Sequence, residues 1–187
     1  MSANTKRFEH LLVTKKQQAY AGDFLSDWRD NELWEDLVVG QKRRHPEVFV
    51  VEEEDVLNYN RAIGETHPLY VDPEFARHHA PRGTILVHPV FTTTIGFWFA
   101  QPPVQGSWIR TPGARNPFQR IEYRERIHVG DHISLVQENH DRFVRRGKGY
   151  VTTHLSLRDQ DDREKAACLG TLILPLNLDE VAAFATA

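Results

Sequence analysis

The chain has 187 residues, 40% hydrophobic and 26% charged, with 23 Lys plus Arg against 26 Asp plus Glu. That size and mix describe one domain of ordinary dimensions and exclude wholesale disorder and collagen-like repeats. The net charge of −3 argues against non-specific nucleic-acid binding, which needs a dominant positive field.

In chain order, Phe8 to Trp28 places Leu11, Leu12, Tyr20, Phe24, Leu25 and Trp28 at helical spacing, with Lys15 and Lys16 on the other side. One or two peripheral helices are expected there. Glu47 to Val51 is β-rich and predicts a first strand. Glu52 to Ile63 opens with acids, which favour a helix N-terminus, and carries Val56, Tyr59 and Ile63 at helical spacing before Gly64. Prolines and glycines from Glu65 to Gly83 permit only loop and short helix. Ile85 to Ala100 is apolar nearly all round, so a helix there should be buried; Gln101 to Gly106 ends it.

Four β-like runs follow: Phe118 to Val129, Asp131 to Phe143, Gly149 to Arg158 and Lys165 to Leu174. Val151, Thr153, Leu155 and Leu157 alternate with residues such as His154 and Ser156, the period of a half-buried strand. Val129–His132 and Asp159–Arg163 read as hairpin turns between these runs. One strand, a helical insert, an apolar helix and an antiparallel meander make an α+β layout. Parallel α/β folds are disfavoured, because consecutive strands lack crossover helices. The N-terminus has no apolar leader core, no stretch is long enough to span a bilayer, and Cys168 stands alone. The expectation is a cytoplasmic protein with no membrane and no nucleic-acid partner.

The informative stretch is Ala62-Ile-Gly-Glu-Thr-His-Pro-Leu-Tyr-Val-Asp-Pro-Glu-Phe-Ala76. It resembles the catalytic loop of the MaoC-like hydratases and dehydratases, in their FAS1-like dehydratase branch. Trp34 to Gly40 resembles the family's opening motif, Val51 to Tyr59 its first helix, and Tyr123 to Asp131 its strand and turn. The resemblance covers roughly residues 34–175, and the order of the motifs makes chance a poor explanation. It implies a single hot-dog domain, an antiparallel sheet wrapped around one buried helix, over residues 34–176. A helical N-terminal extension over 1–33 and a C-terminal tail over 177–187 would flank it. It also implies hydration of an enoyl-CoA-type thioester, or dehydration of a 3-hydroxyacyl thioester, by a cofactor-free reaction.

The family pattern carries aspartate where this chain has Glu65, asparagine at His67, and histidine at Tyr70. Hydration needs a base for water, a proton source for the α-carbon and donors for the thioester oxygen. By this resemblance Glu65 is the base, Tyr70 a donor and His67 an assisting group. Each has a plainer role beside it: Glu65 as a turn cap, His67 as a residue held extended by Pro68, and Tyr70 as a packed ring.

Substrate binding is expected at His88 and Pro89, which lead into the apolar helix whose first amides suit a thioester oxygen. The basic run Arg142, Arg145, Arg146 and Lys148 is the expected contact for coenzyme A phosphates, with a solvated hairpin end as the alternative. His78 and His79 point apart on a helix, and no cysteine or fixed carboxylate spacing supports them, so no metal is expected. The partner is expected to be a second hot-dog chain, identical or related, because a lone sheet exposes an edge. Two other functions stay open: an acyl-thioester-binding subunit without chemistry of its own, and a hot-dog thioesterase.

Overall fold

A computed structural model describes residues 9–19, 29, 31–100 and 110–185. Six strands pair antiparallel: β1 Lys42–Arg44, β2 Phe49–Val50, β3 Arg115–Tyr123, β4 His132–Arg145, β5 Lys148–Arg158 and β6 Glu164–Leu174. The helices are α1 Lys15–Ala19, α2 Glu53–Ala62, α3 Pro68–Val71, α4 Pro73–His79, α5 Phe91–Phe99 and α6 Leu178–Ala185. The sheet runs β1-β4-β5-β6-β3, with β2 also on β4, and α5 lies against it. Phe91, Ile95 and Phe99 meet Ile133, Leu135 and Leu157 in the main core. The α+β hot-dog layout expected from the sequence is the one observed.

The long hairpin of β4 and β5 turns on Arg146 and Gly147, at φ 52° and 70°. Two successive left-handed residues are what a two-residue hairpin turn requires. Asp159 shapes the β5–β6 turn, its Oδ1 accepting from the amides of Asp161 and Arg163, both at 3.0 Å. Val129–His132, by contrast, is not a hairpin turn. β3 pairs with β6, from Arg115 opposite Ile173 to Tyr123 opposite Ala166, and not with β4. The meander therefore has three strands, with β3 crossing to the far edge. The Val129–His132 turn is tied instead to the end of β2, through Gly130 N–H to Val51 O at 2.8 Å and Val51 N–H to Asp131 O at 2.9 Å.

The apolar stretch from Ile85 forms a helix only from Phe91. The residue before a proline is driven to extended backbone, so Pro89 keeps His88 out of the helix, and Leu86 bridges to His128 instead. The helix is not wholly buried either, since Phe97 is 48% exposed. On α2 the buried face holds Asp55, Val56 and Asn60, while Ile63 is exposed. In the N-terminal segment the two sides are mixed: Leu12 and Lys16 are half-buried, while Leu11 and Lys15 are exposed. Phe8, Tyr20, Phe24, Leu25, Trp28 and Gln101–Gly106 lie outside the described residues. The stretch read as a C-terminal tail carries α6, whose Val181 is fully buried and clusters with Leu33. No helix among the described residues is long and apolar enough to cross a membrane.

Candidate active site

The loop after α2 is held from three sides. Gly64 has φ 77°, a left-handed turn that a glycine makes without strain. The Glu65 amide returns to Asn60 O at 3.0 Å. Fully buried Asn60 then donates through its side-chain amide to Tyr70 O at 2.8 Å and Leu86 O at 3.0 Å. One residue thus fixes the end of α2, the α3 segment and the strand-like run before α5.

Glu65 Oε1 accepts from the amides of Thr66 at 2.8 Å and His67 at 2.9 Å. Those two bonds, from His67 and then Thr66, hold its carboxyl below the usual carboxylate range, with the nearby His88 and His67 rings acting in the same direction. The turn-capping role is real, and it keeps the group ionised. His67 is the N-cap of α3, its Nδ1 accepting from Leu69 N–H at 3.2 Å. His88 Nδ1 accepts from Val90 N–H at 3.3 Å. A neutral imidazole that accepts at Nδ1 carries its proton on Nε2.

The structure brings Glu65, His67, Tyr70 and His88 together. The Tyr70 ring lies 6.2 Å from His67 and 6.3 Å from His88, and His88 is also 6.3 Å from Tyr59. His88, Pro89 and Thr92 open onto a cavity of about 240 Å³ that Tyr123, Arg124, Glu125 and Arg126 also line. Burial, with the Tyr123 phenol nearby, pushes the Tyr59 hydroxyl above its ordinary value.

Two expectations do not hold within one chain. The first amides before and into α5 are already engaged: Val90 by His88 Nδ1, Phe91 by His88 O, Thr92 by Pro89 O and Thr93 by Val90 O. The N-terminus of α5 therefore offers no free amide from Val90 to Thr93 for a thioester oxygen. Arg145, Arg146 and Lys148 sit at the far tip of the β4–β5 hairpin, and the 14 residues of β4 separate its ends by roughly 40 Å. The cations beside the cavity are Arg124 and Arg126, which no run in the sequence marks. Tyr59 and Tyr123 are read from the sequence only as parts of a helix and a strand motif, and Asn60 carries no expected role. The one available signal was a polar residue recurring on the core-facing side of α2.

The chain matches the family described as FAS1-like, dehydratase domain region over residues 37–164. No curated protein matches it in a search by sequence. Among solved structures it is similar to the HadBC (3R-hydroxyacyl-ACP dehydratase) complex from Mycobacterium tuberculosis. That likeness has TM-score 0.61 at 22% identity, covering 73% of this chain and 97% of that one. R-hydratase PhaJ1 from Pseudomonas aeruginosa gives TM-score 0.62 at 15% identity, covering 78% and 86%. The MaoC-like dehydratase from Rhodospirillum rubrum gives 0.63 at 15%, covering 78% and 98%. At such identities these structures speak for the shared frame, while the family match spans more than half of the sequence. The chain belongs to the FAS1-like dehydratase domain family.

Proposed function

We propose that this protein hydrates an enoyl-CoA-type thioester, or runs the reverse dehydration of a 3-hydroxyacyl thioester, at the loop of Glu65, His67 and Tyr70 together with His88. One observation supports this reading above the others. His88 stands where the Glu65 charge, the Tyr70 ring and the cavity meet.

In the hydration direction, Glu65 takes a proton from water as the water oxygen bonds to the β-carbon. The double-bond electron pair moves toward the α-carbon and the thioester oxygen. The carboxyl group so formed returns a proton to the α-carbon, and water has been added across the bond. Tyr70 and His88 Nε2–H serve as donors to the oxygen that carries the enolate charge. His67 assists by capping α3 and setting the loop. No cofactor enters these steps.

A second hot-dog chain, identical or related, is the partner in this reading. The M. tuberculosis neighbour is itself a complex, and β3 pairs only with β6 among the described residues. An acyl-thioester-binding subunit without its own chemistry is the second reading, favoured by the two loop amides that saturate Glu65 Oε1. The test is incubation of the pure protein with a panel of enoyl-CoAs. Loss of the enoyl absorbance without free thiol is the expected result. Thiol release means a thioesterase, and silence until a partner chain is added means the accessory subunit.

A further inference from the structure

The β4–β5 hairpin ends in a tip that the candidate site leaves unused. Arg145 pairs with Lys148 on the last rung of the ladder, and Arg146 and Gly147 make the turn. Arg145, Arg146 and Lys148 are all exposed. Among the described residues none of these three is ion-paired to a carboxylate, whereas Arg43, Arg44, Arg120 and Arg163 all are. Arg146 holds φ 52°, at a turn position that asparagine, aspartate or glycine fills with less strain. An arginine there sets a charge at the very end of the hairpin despite the backbone it must adopt.

Just behind the cations stand two exposed apolar side chains, Phe143 at 40% and Val144 at 52%. Successive strand residues point to opposite faces, so the tip is apolar on both. Phe143 stacks on its cross-strand partner Tyr150, with the rings 4.9 Å apart and within 3° of parallel. Arg142, on the Val144 side of the hairpin, donates to Trp34 O and Glu35 O and braces its base. A protein partner laid against one face would leave the apolar residue of the other face in water. A surface that takes the tip end-on covers both.

We propose that this tip is a peripheral docking point for an anionic lipid surface. Arg145, Arg146 and Lys148 meet the phosphates, and Phe143 and Val144 enter the interfacial layer. The chain carries a net charge of −3, so attraction to an anionic surface is local to this patch and brings the protein in tip-first. Such contact needs no spanning helix. The cavity at His88, toward the other end of β4, then faces away from the bilayer.

The test is sedimentation of the full chain with vesicles of phosphatidylcholine alone and of phosphatidylcholine mixed with phosphatidylserine. Each cation near an anionic surface favours binding by about fivefold, so the mixed vesicles should bind about 100-fold more tightly than the neutral ones. Raising the salt from about 0.1 M to about 1 M, which shortens the screening length from about 10 Å to about 3 Å, should release the protein. Arg145→Glu combined with Lys148→Glu should abolish the preference for mixed vesicles. Phe143→Ser should weaken binding to them by about fivefold, and a cooperative thermal transition in each variant reports an intact fold. Equal affinity for the two vesicle types, or a preference that survives the double charge reversal, overturns the proposal. Binding that neither Phe143→Ser nor Val144→Ser weakens overturns the end-on insertion. Binding to neither vesicle overturns the lipid surface, and retention on immobilised polyglutamate, lost in the double variant, then assigns the tip to an acidic protein instead.

Discussion

The side-chain amide of Asn60 donates to the backbone carbonyl of Tyr70 at 2.8 Å, and the same group reaches Leu86 O at 3.0 Å. Asn60→Ala strands both carbonyls, at about 1–3 kcal/mol for each. Urea denaturation should show a lower midpoint with an unchanged slope, and turnover should fall with it because the loop loses its anchor. A variant with wild-type stability would mean that the loop is held by other contacts.

Glu65→Gln keeps an oxygen for the Thr66 and His67 amides and removes the charge. Turnover should fall about 100-fold or more, with thioester binding little changed, and His67→Asn should cost less. Tyr70→Phe should lower the rate moderately. Because the Glu65 carboxyl lies below the usual range, the ionised form persists to unusually low pH. The acid limb of kcat/KM should therefore fall below about 4.3, the ordinary value for glutamate. Near-wild-type turnover in Glu65→Gln would leave Glu65 as a turn residue only.

Asp159 gives the fold an acid-sensitive element. Burial alone would raise its carboxyl, but the Arg163 amide, the Arg163 guanidinium and Lys165 together hold it at about 2. Lys165 is itself buried, 3.2 Å from Asp159 and 3.1 Å from Glu125. A carboxyl held below its unfolded value stabilises the fold above about pH 4, and that contribution is lost as the pH falls toward 2. Denaturation midpoints measured across this window should decline in the wild type, and Asp159→Asn should flatten the decline.

A side chain at Gly149 has nowhere to go. An added Cβ would stand 2.6 Å from Trp34 Cδ1 and 2.9 Å from Leu176 Cδ2. Trp34 is fixed there by its Nε1–H bond to Tyr150 O at 3.0 Å and by the Arg142 guanidinium 4.9 Å from its ring centre. Gly149→Ala should cost about 1–3 kcal/mol, read as a drop in Tm.

The open edge is testable without any substrate. Phe118 on β3 is 51% exposed, and its strand has no neighbour beyond β6 among the described residues. If two copies pair along this edge, Phe118→Lys should leave a 21.6 kDa monomer in light scattering where the wild type gives twice that mass. A wild-type chain that is already a stable monomer, with no co-purifying partner, would remove the second-chain reading.

Local patterns carried the fold far. The alternation in β5 holds from Val151 to His154, because period and pleat are properties of the strand itself, and breaks beyond, where Leu155 is half-buried and Ser156 and Leu157 are both buried. The acids of Glu53 to Asp55 sit at the start of α2 as their charge suggested. What stayed hidden was non-local. That β3 belongs beside β6 depends on Tyr123 meeting Ala166, across forty-odd residues of chain. The work of Asn60 is defined by carbonyls ten and twenty-six residues away. The basic run falls at the hairpin tip, a whole length of β4 from the turn at Val129–His132. The nearness of Glu65, His67, Tyr70 and His88 follows from one short loop and one proline-kinked run; that of Arg124 and Arg126 to His88 does not.

The free margin of β3 leaves Phe118 and Tyr123 about half exposed, one on each face of the strand. If a second subunit covers it, folding and association share one equilibrium, and mass action governs thermal resistance. The temperature at which such a protein melts is then set partly by how much of it is in the tube, and dilution alone should soften it.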